Sequence, residues 1–321
     1  MSDAAPVLRI GTRSSALALR QARMVQAALA ERGIGAELVT FKTSGDKNLD
    51  VPLSAIGTKG LFTRELEVAL RRRRIDCAVH SLKDLPTESA AGLLVLAVLP
   101  RGDPRDVVVI SRVAGALGLA DLPARSRVGT SSLRRRAQLH ALRRDLDVVD
   151  LRGNVPTRLQ KVDAGQVHAT ILAAAGLKRL DATQHIAEYL EPPAWLPAAG
   201  QGAIAIEVRL DDPPIHAAIG PLNDPETMRA VTAERAFLAG LDGGCQVPIG
   251  ALVLREGGVD VLHGLIADAE GRRVVRGTAR VDPAYPEGAG IALAQELRAR
   301  GGAEILDGLR GAERVPAPQP Q

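Results

Sequence analysis

Apolar residues recur along this chain with two alternating periods. "VLRIGT" (7–12) is a short, nearly continuous apolar run, which marks a buried strand. "SALALRQARMVQAALAERG" (15–33) repeats its apolar positions every three to four residues until Gly33, which marks an amphipathic helix. "AELVTFKT" (36–43) then predicts a strand, "LFTRELEVALRRRR" (61–74) a helix, and "IDCAVHSL" (75–82) a strand. This order predicts a mainly parallel sheet with helices on both faces. "LLVLAVL" (93–99) and "DVVVIS" (106–111) read as strands linking two lobes.

A second unit repeats the rhythm. "SRVGTS" (126–131) ends a strand, "SLRRRAQLHALRRD" (132–145) is a helix, and "LDVVDLR" (146–152) a strand. "VPTRLQKVDAG" (155–165) is a helix and "HATILAAAGL" (168–177) a strand. Proline-rich "EPPAWLP" (191–197) and "DDPPI" (211–215) bracket one more strand, "GAIAIEV" (202–208), placed to return to the first lobe. A third unit opens on Asp224-Pro225, an N-cap aspartate with proline at the first helical position, and its helix runs to about Leu241. Hairpin-like strands fill 251–281, and one last helix covers 290–310. The expected domains are 1–102 plus about 200–220, 103–199, and 221–313, with 314–321 a disordered tail.

Composition narrows the function. Hydrophobic residues make up 46% of the 321 and charged residues 24%, as in an ordinary globular protein. No apolar run approaches the ~20 residues of a membrane span, and no secretory leader pattern is visible. Two cysteines, Cys77 and Cys245, make no disulfide framework, so a reducing cytoplasmic setting and no membrane association are expected. Aromatic content of 2% leaves almost no stacking platform, which argues against a nucleic-acid partner. The six histidines share no metal-ligand spacing with each other or with the cysteines, so no metal is expected.

The candidate chemistry lies at turns. "RIGTRSSALAL" (9–19) echoes "RVGTSSLRRRA" (127–137): strand, Gly-Thr turn, two serines, helix. Each helix N-terminus offers free N–H groups to an anion, and Ser15 and Ser132 add hydroxyls, although plain helix capping accounts for either serine alone. Arg13, Arg134, Arg135, Arg152, Arg158 and Arg179 follow strand ends, on the edge where α/β proteins bind ligands. Guanidinium forks grip carboxylates, so this rim predicts a ligand with several carboxylates or phosphates. The run Arg71–Arg74 reads instead as a solvated helix end. In "HSLKDLP" (80–86), Lys83 and Asp84 are presented at the same sheet edge, with Asp84 the best-placed acid for proton transfer. Cys77 reads as a small core residue. Cys245, in "DGGCQVPIG" (242–250), has glycine-given access, yet position alone leaves open an idle loop thiol or a nucleophile. A non-catalytic anion-binding module of the same two-lobed form also accounts for the arginines, without needing Asp84 or Cys245.

"RIGTRSSALALRQA", "GLFTRELEVAL", "DCAVHSLKDLPT", "VGTSSLRRRAQL", "LRGNVPTRL", "AAAGLKRL", "LPAAGQGAIAIE" and "GGCQVPIGA", in this order, resemble the porphobilinogen deaminases. The resemblance implies an α/β protein of three domains. The first two are like type II periplasmic binding proteins around a hinge, and the third is a small α+β domain. It implies a dipyrromethane cofactor attached through a thioether to Cys245. It implies four head-to-tail additions of porphobilinogen with loss of ammonia, then hydrolysis to hydroxymethylbilane. Asp84 matches the family's acid. Lys83, Ser132, Arg134 and Arg135 match cofactor-binding positions, and Arg13, Ser15, Arg152, Arg158 and Arg179 match substrate-binding ones. The family expectation is a monomer. Loop 44–60, with Lys59, is the expected mobile cover, and here Ala55 and Thr58 depart from the family's usual lysine and glycine.

Overall fold

The computed structural model describes residues 7–42, 63–242 and 247–313. The expectations for loop 44–60, Lys59, Cys245 and the tail 314–321 lie outside the described residues.

The chain opens with strand β1 (Leu8–Arg13), helix α1 (Ala16–Ala30), β2 (Ala36–Phe41), α2 (Arg64–Arg71), β3 (Cys77–Ser81) and β4 (Leu93–Val98). It then crosses to β5 (Asp106–Ile110), β6 (Arg127–Gly129), α3 (Leu133–Leu142), β7 (Asp147–Val149), α4 (Val155–Asp163), β8 (Ala169–Ala173), α5 (Ala174–Arg179) and β9 (Glu188–Leu190). Strand β10 (Ile204–Arg209) returns to the first sheet and is followed by α6 (Pro213–Ile219). The two sheets have the orders β2-β1-β3-β10-β4 and β7-β6-β8-β5-β9. In each, the first three strands of the order pair parallel, and one strand, the first after the chain crosses over, runs antiparallel to both neighbours. The two sheets therefore share one strand order, as expected of two like lobes.

Periodicity explains the layers. On one face of the first sheet, Ala22, Val25 and Leu29 of α1 and Ile215 and Ile219 of α6 pack on Ile10, Cys77, Val79 and Ile206. On the other, Leu66 and Leu70 of α2 pack with Ile75, Ala78 and Leu93. Each fully buried Val, Leu or Ile among these contributes about 1.5–3 kcal/mol. Cys77 is one of these core residues, and burial pushes its thiol up to about 12.

Helix α7 (Pro225–Gly240) leads into an antiparallel sheet of β11 (Ile249–Glu256), β12 (Val259–Ala267) and β13 (Val274–Arg280), then α8 (Pro286–Leu297) and α9 (Ala303–Glu313). Phe237 of α7 and Leu293 and Leu297 of α8 cover one face of that sheet. Asp224 caps α7 as its sequence predicts, accepting from the Thr227 N–H at 2.8 Å.

Two boundaries and two additional elements depart from expectation. The strand predicted over 168–177 stops at Ala173, and α5 begins, because Ala-Ala-Gly-Leu has no β-branched residue to hold it extended. The last helix breaks over 298–302, where Gly301 takes φ 103°. Strand β9 and helix α6 are additional; α6 begins on the Pro213-Pro214 pair read above as a bracket, since proline suits the first helical turn.

Candidate functional site

The echoed motif builds the same strand-to-helix turn in both lobes. Arg13 closes β1 and Ser15 caps α1, its oxygen accepting from the Ala18 N–H at 3.3 Å. In the second lobe, Ser132 caps α3 by accepting from the Arg135 N–H at 3.4 Å. Capping and anion binding are compatible here, since a hydroxyl that accepts still has its proton to donate. The echoed glycines serve packing: a Cβ on Gly11 would lie 2.2 Å from Ile75 Cδ1, and one on Gly129 would lie 2.7 Å from Leu151.

At the end of β3, a single 3₁₀ turn, Leu82–Asp84, sets the direction of two charged side chains. Leu82 and Leu85 are buried on either side of it, so Lys83 and Asp84 are held between two apolar anchors. Asp84 lines an open cavity together with Arg13, Ser15, Gln21, His80 and Ser81. Lys83 donates to Gln201 Oε1 at 3.1 Å. Its side chain as a whole is only half-buried, but its ammonium lies deep between the walls. Burial pushes that ammonium down to about 8; Arg135 adds to the fall, and Asp84 and Asp106 oppose it.

Arg134 and Arg135 are not on an open rim. Both are nearly sealed, 5% and 6% exposed, and both pair with Asp106, which is 0% exposed. Arg134 Nη1 donates to Asp106 Oδ2 at 2.7 Å and to the Leu196 carbonyl at 2.8 Å. Arg135 donates to Asp106 Oδ1 through Nε at 3.2 Å and Nη2 at 2.7 Å, and to the Ile171 carbonyl at 2.8 Å. Trp195 Nε1 and Gln201 Nε2 complete the ring around Asp106 at 2.8 and 2.9 Å. The two guanidiniums and their hydrogen bonds overcome the burial that would raise it and hold this carboxyl far below the usual range. Sequence reasoning missed Asp106 because it opens the apolar run "DVVVIS". It missed Gln201 although "AAGQGA" was in view.

Arg158 is on α4 and donates from Nε to the Gly153 carbonyl at 2.8 Å. Burial, then the fields of Arg135 and Arg152, push its guanidinium down to about 10, against the opposing pull of Asp84. These mutual fields join Lys83 and Asp84 of the first lobe to Arg134, Arg135, Arg152 and Arg158 of the second. Arg179 lies at a crossing of the chain. It ends α5 rather than a strand, and its Nη2 donates at 2.6 Å to the carbonyl of Gly202, next to Gly102, where the chain passes between lobes.

The third sheet's helix closes around the same crossings. Glu234 of α7, fully buried, accepts from Arg101 Nη1 at 2.6 Å, from the Gly200 N–H at 2.7 Å and from the Val253 N–H at 3.0 Å. Among the described residues, no cluster of three His, Cys, Asp or Glu side chains is arranged to hold a metal ion, and no helix is long and apolar enough to cross a membrane.

Family models match in two blocks: "Porphobilinogen deaminase, dipyromethane cofactor binding domain" over residues 8–217, and "Porphobilinogen deaminase, C-terminal domain" over 228–299. The porphobilinogen deaminase of Moorella thermoacetica is 50% identical over 301 residues, 93% of this chain and 95% of that one. That of Roseiflexus castenholzii is 50% identical over 304 residues, covering 94% and 99%. That of Pelobacter propionicus is 51% identical over 302 residues, covering 94% and 96%. Among solved structures, the methionine-binding protein MetQ overlays 67% of this chain and 89% of its own with a TM-score of 0.44 and 13% identity, a likeness too distant to bear on function. Half-identical relatives along nearly the whole chain, and a family model over most of it, agree with the ordered motifs and the two-lobed cleft: the chain belongs to the porphobilinogen deaminase family.

Proposed function

We propose that this chain condenses four porphobilinogen molecules head to tail onto a dipyrromethane primer, releasing ammonia at each addition, and then hydrolyses the product off as hydroxymethylbilane. The observation that carries this is Asp84, a carboxyl group set on a one-turn helix in a cavity with Arg13 and Ser15 and within the field of Arg158 from the facing lobe. Porphobilinogen carries an acetate and a propionate on each ring, so the growing chain is a polyanion and requires such a basic cleft.

The cleft fits the cofactor on its own chemistry. Lys83 and Arg158 are cations whose charge is disfavoured by burial and by neighbouring arginines, and a carboxylate-bearing group relieves both penalties. Lys83, Ser132, Arg134 and Arg135 are the residues assigned to hold it, with Cys245 as its thioether anchor. Arg135 uses three of its five N–H groups on Asp106 and Ile171, which leaves two to address a carboxylate. When bound, the dipyrromethane supplies the pyrrole whose free α-carbon accepts the incoming ring. Asp84 donates a proton to the substrate's aminomethyl nitrogen, which leaves as ammonia, and the resulting carboxylate faces the positive pyrrole nitrogen. Arg13, Ser15, Arg152, Arg158 and Arg179 bind the incoming ring and the growing chain, and Lys59 belongs to the cover.

The same reading assigns residues 1–102 with about 200–220, 103–199, and 221–313 to three domains, and describes a cytoplasmic monomer. Intact-protein mass is the test. Protein from porphobilinogen-replete cells is expected to carry two deaminated substrate units, and Cys245→Ser to carry none. Unmodified protein that binds carboxylates without turnover is the outcome for a non-catalytic anion-binding module.

A further inference from the structure

Helix α7 touches the first lobe at a second place, behind Asp84. Arg235, one turn after Val231, donates to three consecutive carbonyls: Leu85 at 3.4 Å, Pro86 at 2.6 Å and Thr87 at 3.1 Å. These residues directly follow Asp84. On the same helix face, Val231 and Met228 pack in one apolar cluster with Leu82 and Leu85, the two side chains that bracket Lys83 and Asp84. The turn between them is weak by itself. It is a single 3₁₀ turn closed by the Leu85 N–H on the Leu82 carbonyl at 3.1 Å. On its upstream side it continues from the centre of the sheet, where β3 is paired on both edges. Downstream the chain leaves the sheet, and the guanidinium of Arg235 serves the carbonyls there.

We propose that Arg235 is a positioning residue for Asp84. It fixes the segment Leu85–Thr87 and thereby the reach of the Asp84 carboxylate into the cleft. The proposal rests on the reading of Asp84 as the group that moves the proton. It adds that helix α7, whose residues Met228 and Val231 also pack on Leu82 and Leu85, aims this acid. Arg235 does not line the cavity that holds Asp84 and Arg13, and its guanidinium is spent on backbone carbonyls.

The test compares Arg235→Met, Arg235→Lys and Asp84→Asn as full-length holoproteins, measuring kcat, KM and the melting midpoint of each. Arg235→Met leaves three carbonyls without their donor. It is expected to lower kcat at least ~10-fold, within the ~100-fold that a 1 Å misplacement costs, with KM changed less than threefold. Arg235→Lys keeps a donor for the Pro86 and Thr87 carbonyls and is expected to recover most of that kcat. An Arg235→Met protein that is folded at the assay temperature and keeps its kcat, or one that raises KM with kcat intact, overturns the proposal. So does a kcat that falls only in proportion to the unfolded fraction. Asp84→Asn separates the two levels: if it turns over normally, the reading of Asp84 itself fails. If it is inactive while Arg235→Met is normal, only the positioning role fails.

Discussion

Asp106→Asn is the sharpest perturbation of the cleft's architecture, because one buried carboxylate there answers five donors. Two come from Arg135, and one each from Arg134, Trp195 and Gln201. An amide keeps one acceptor oxygen. If its nitrogen replaces Oδ2, it faces the donors of Arg134 and Trp195; if it replaces Oδ1, it faces those of Arg135 and Gln201. Either way at least two donors lose their acceptor, and two guanidiniums lose their counter-charge. Removing one partner from a buried ion pair costs about 3–5 kcal/mol. At roughly 2–4 °C per kcal/mol, the transition that includes the second sheet should fall by about 6–20 °C at pH 7, read by calorimetry. The acid limb supplies a second check. Asp106 is held below its unfolded value, so its stabilisation is complete above about pH 4 and is lost as pH falls through the folded value. The difference between the two proteins should therefore narrow below about pH 4. A variant melting within about 2 °C of the parent at pH 7 would refute the account of Asp106 as the keystone of this network.

Other consequences follow from the same geometry. Asp84→Ala should keep the cofactor mass yet lose at least ~100-fold in turnover, the scale of a general acid; an unchanged rate removes Asp84 from the chemistry. Cys77, buried with its thiol raised to about 12, should not react with a disulfide reagent in native Cys245→Ser protein and should react once after denaturation. Lys83 is lowered to about 8, so its charge penalises the ligand-free fold below that pH and the penalty fades towards the unfolded value near 10.4. Its attraction for carboxylates should accordingly weaken above pH 8, and titration of Lys83→Met against a dicarboxylate should lack that limb. Gly271 takes φ 63° and an added Cβ would lie 2.1 Å from the Ala137 carbonyl, so Gly271→Ala should cost ~1–3 kcal/mol or more unless the turn after β12 lifts off α3; an unchanged denaturation midpoint contradicts that contact.

What could be read from sequence divides along a physical line. Strand and helix identities were legible because each segment carries one hydrophobic period over its own few residues, and the N-cap Asp224 needed only its neighbours Pro225 and Thr227. The breaks that were missed are cases where two local readings compete. "AAAGL" continues a strand or starts α5 equally well, and the Gly301-Gly302 pair is a tolerable helix defect until packing of Gly302 against the Leu297 carbonyl selects the kink. Site chemistry was legible by type but not by direction. Spacing put Arg134 and Arg135 at the start of α3, yet whether a guanidinium there faces solvent or core depends on a carboxylate 28 and 29 residues earlier in the chain. Asp106 exposes no local anomaly: its charge is paired only after β5 inserts beside β8 and brings it up against α3. The same holds for Glu234, which sits mid-helix like any surface glutamate until Arg101 and Gly200 arrive from the two crossings. Buried ionic contacts of long sequence separation are therefore the part of this cleft that only the fold can reveal. They are also the part that determines how many of its arginine N–H groups remain free for a carboxylate.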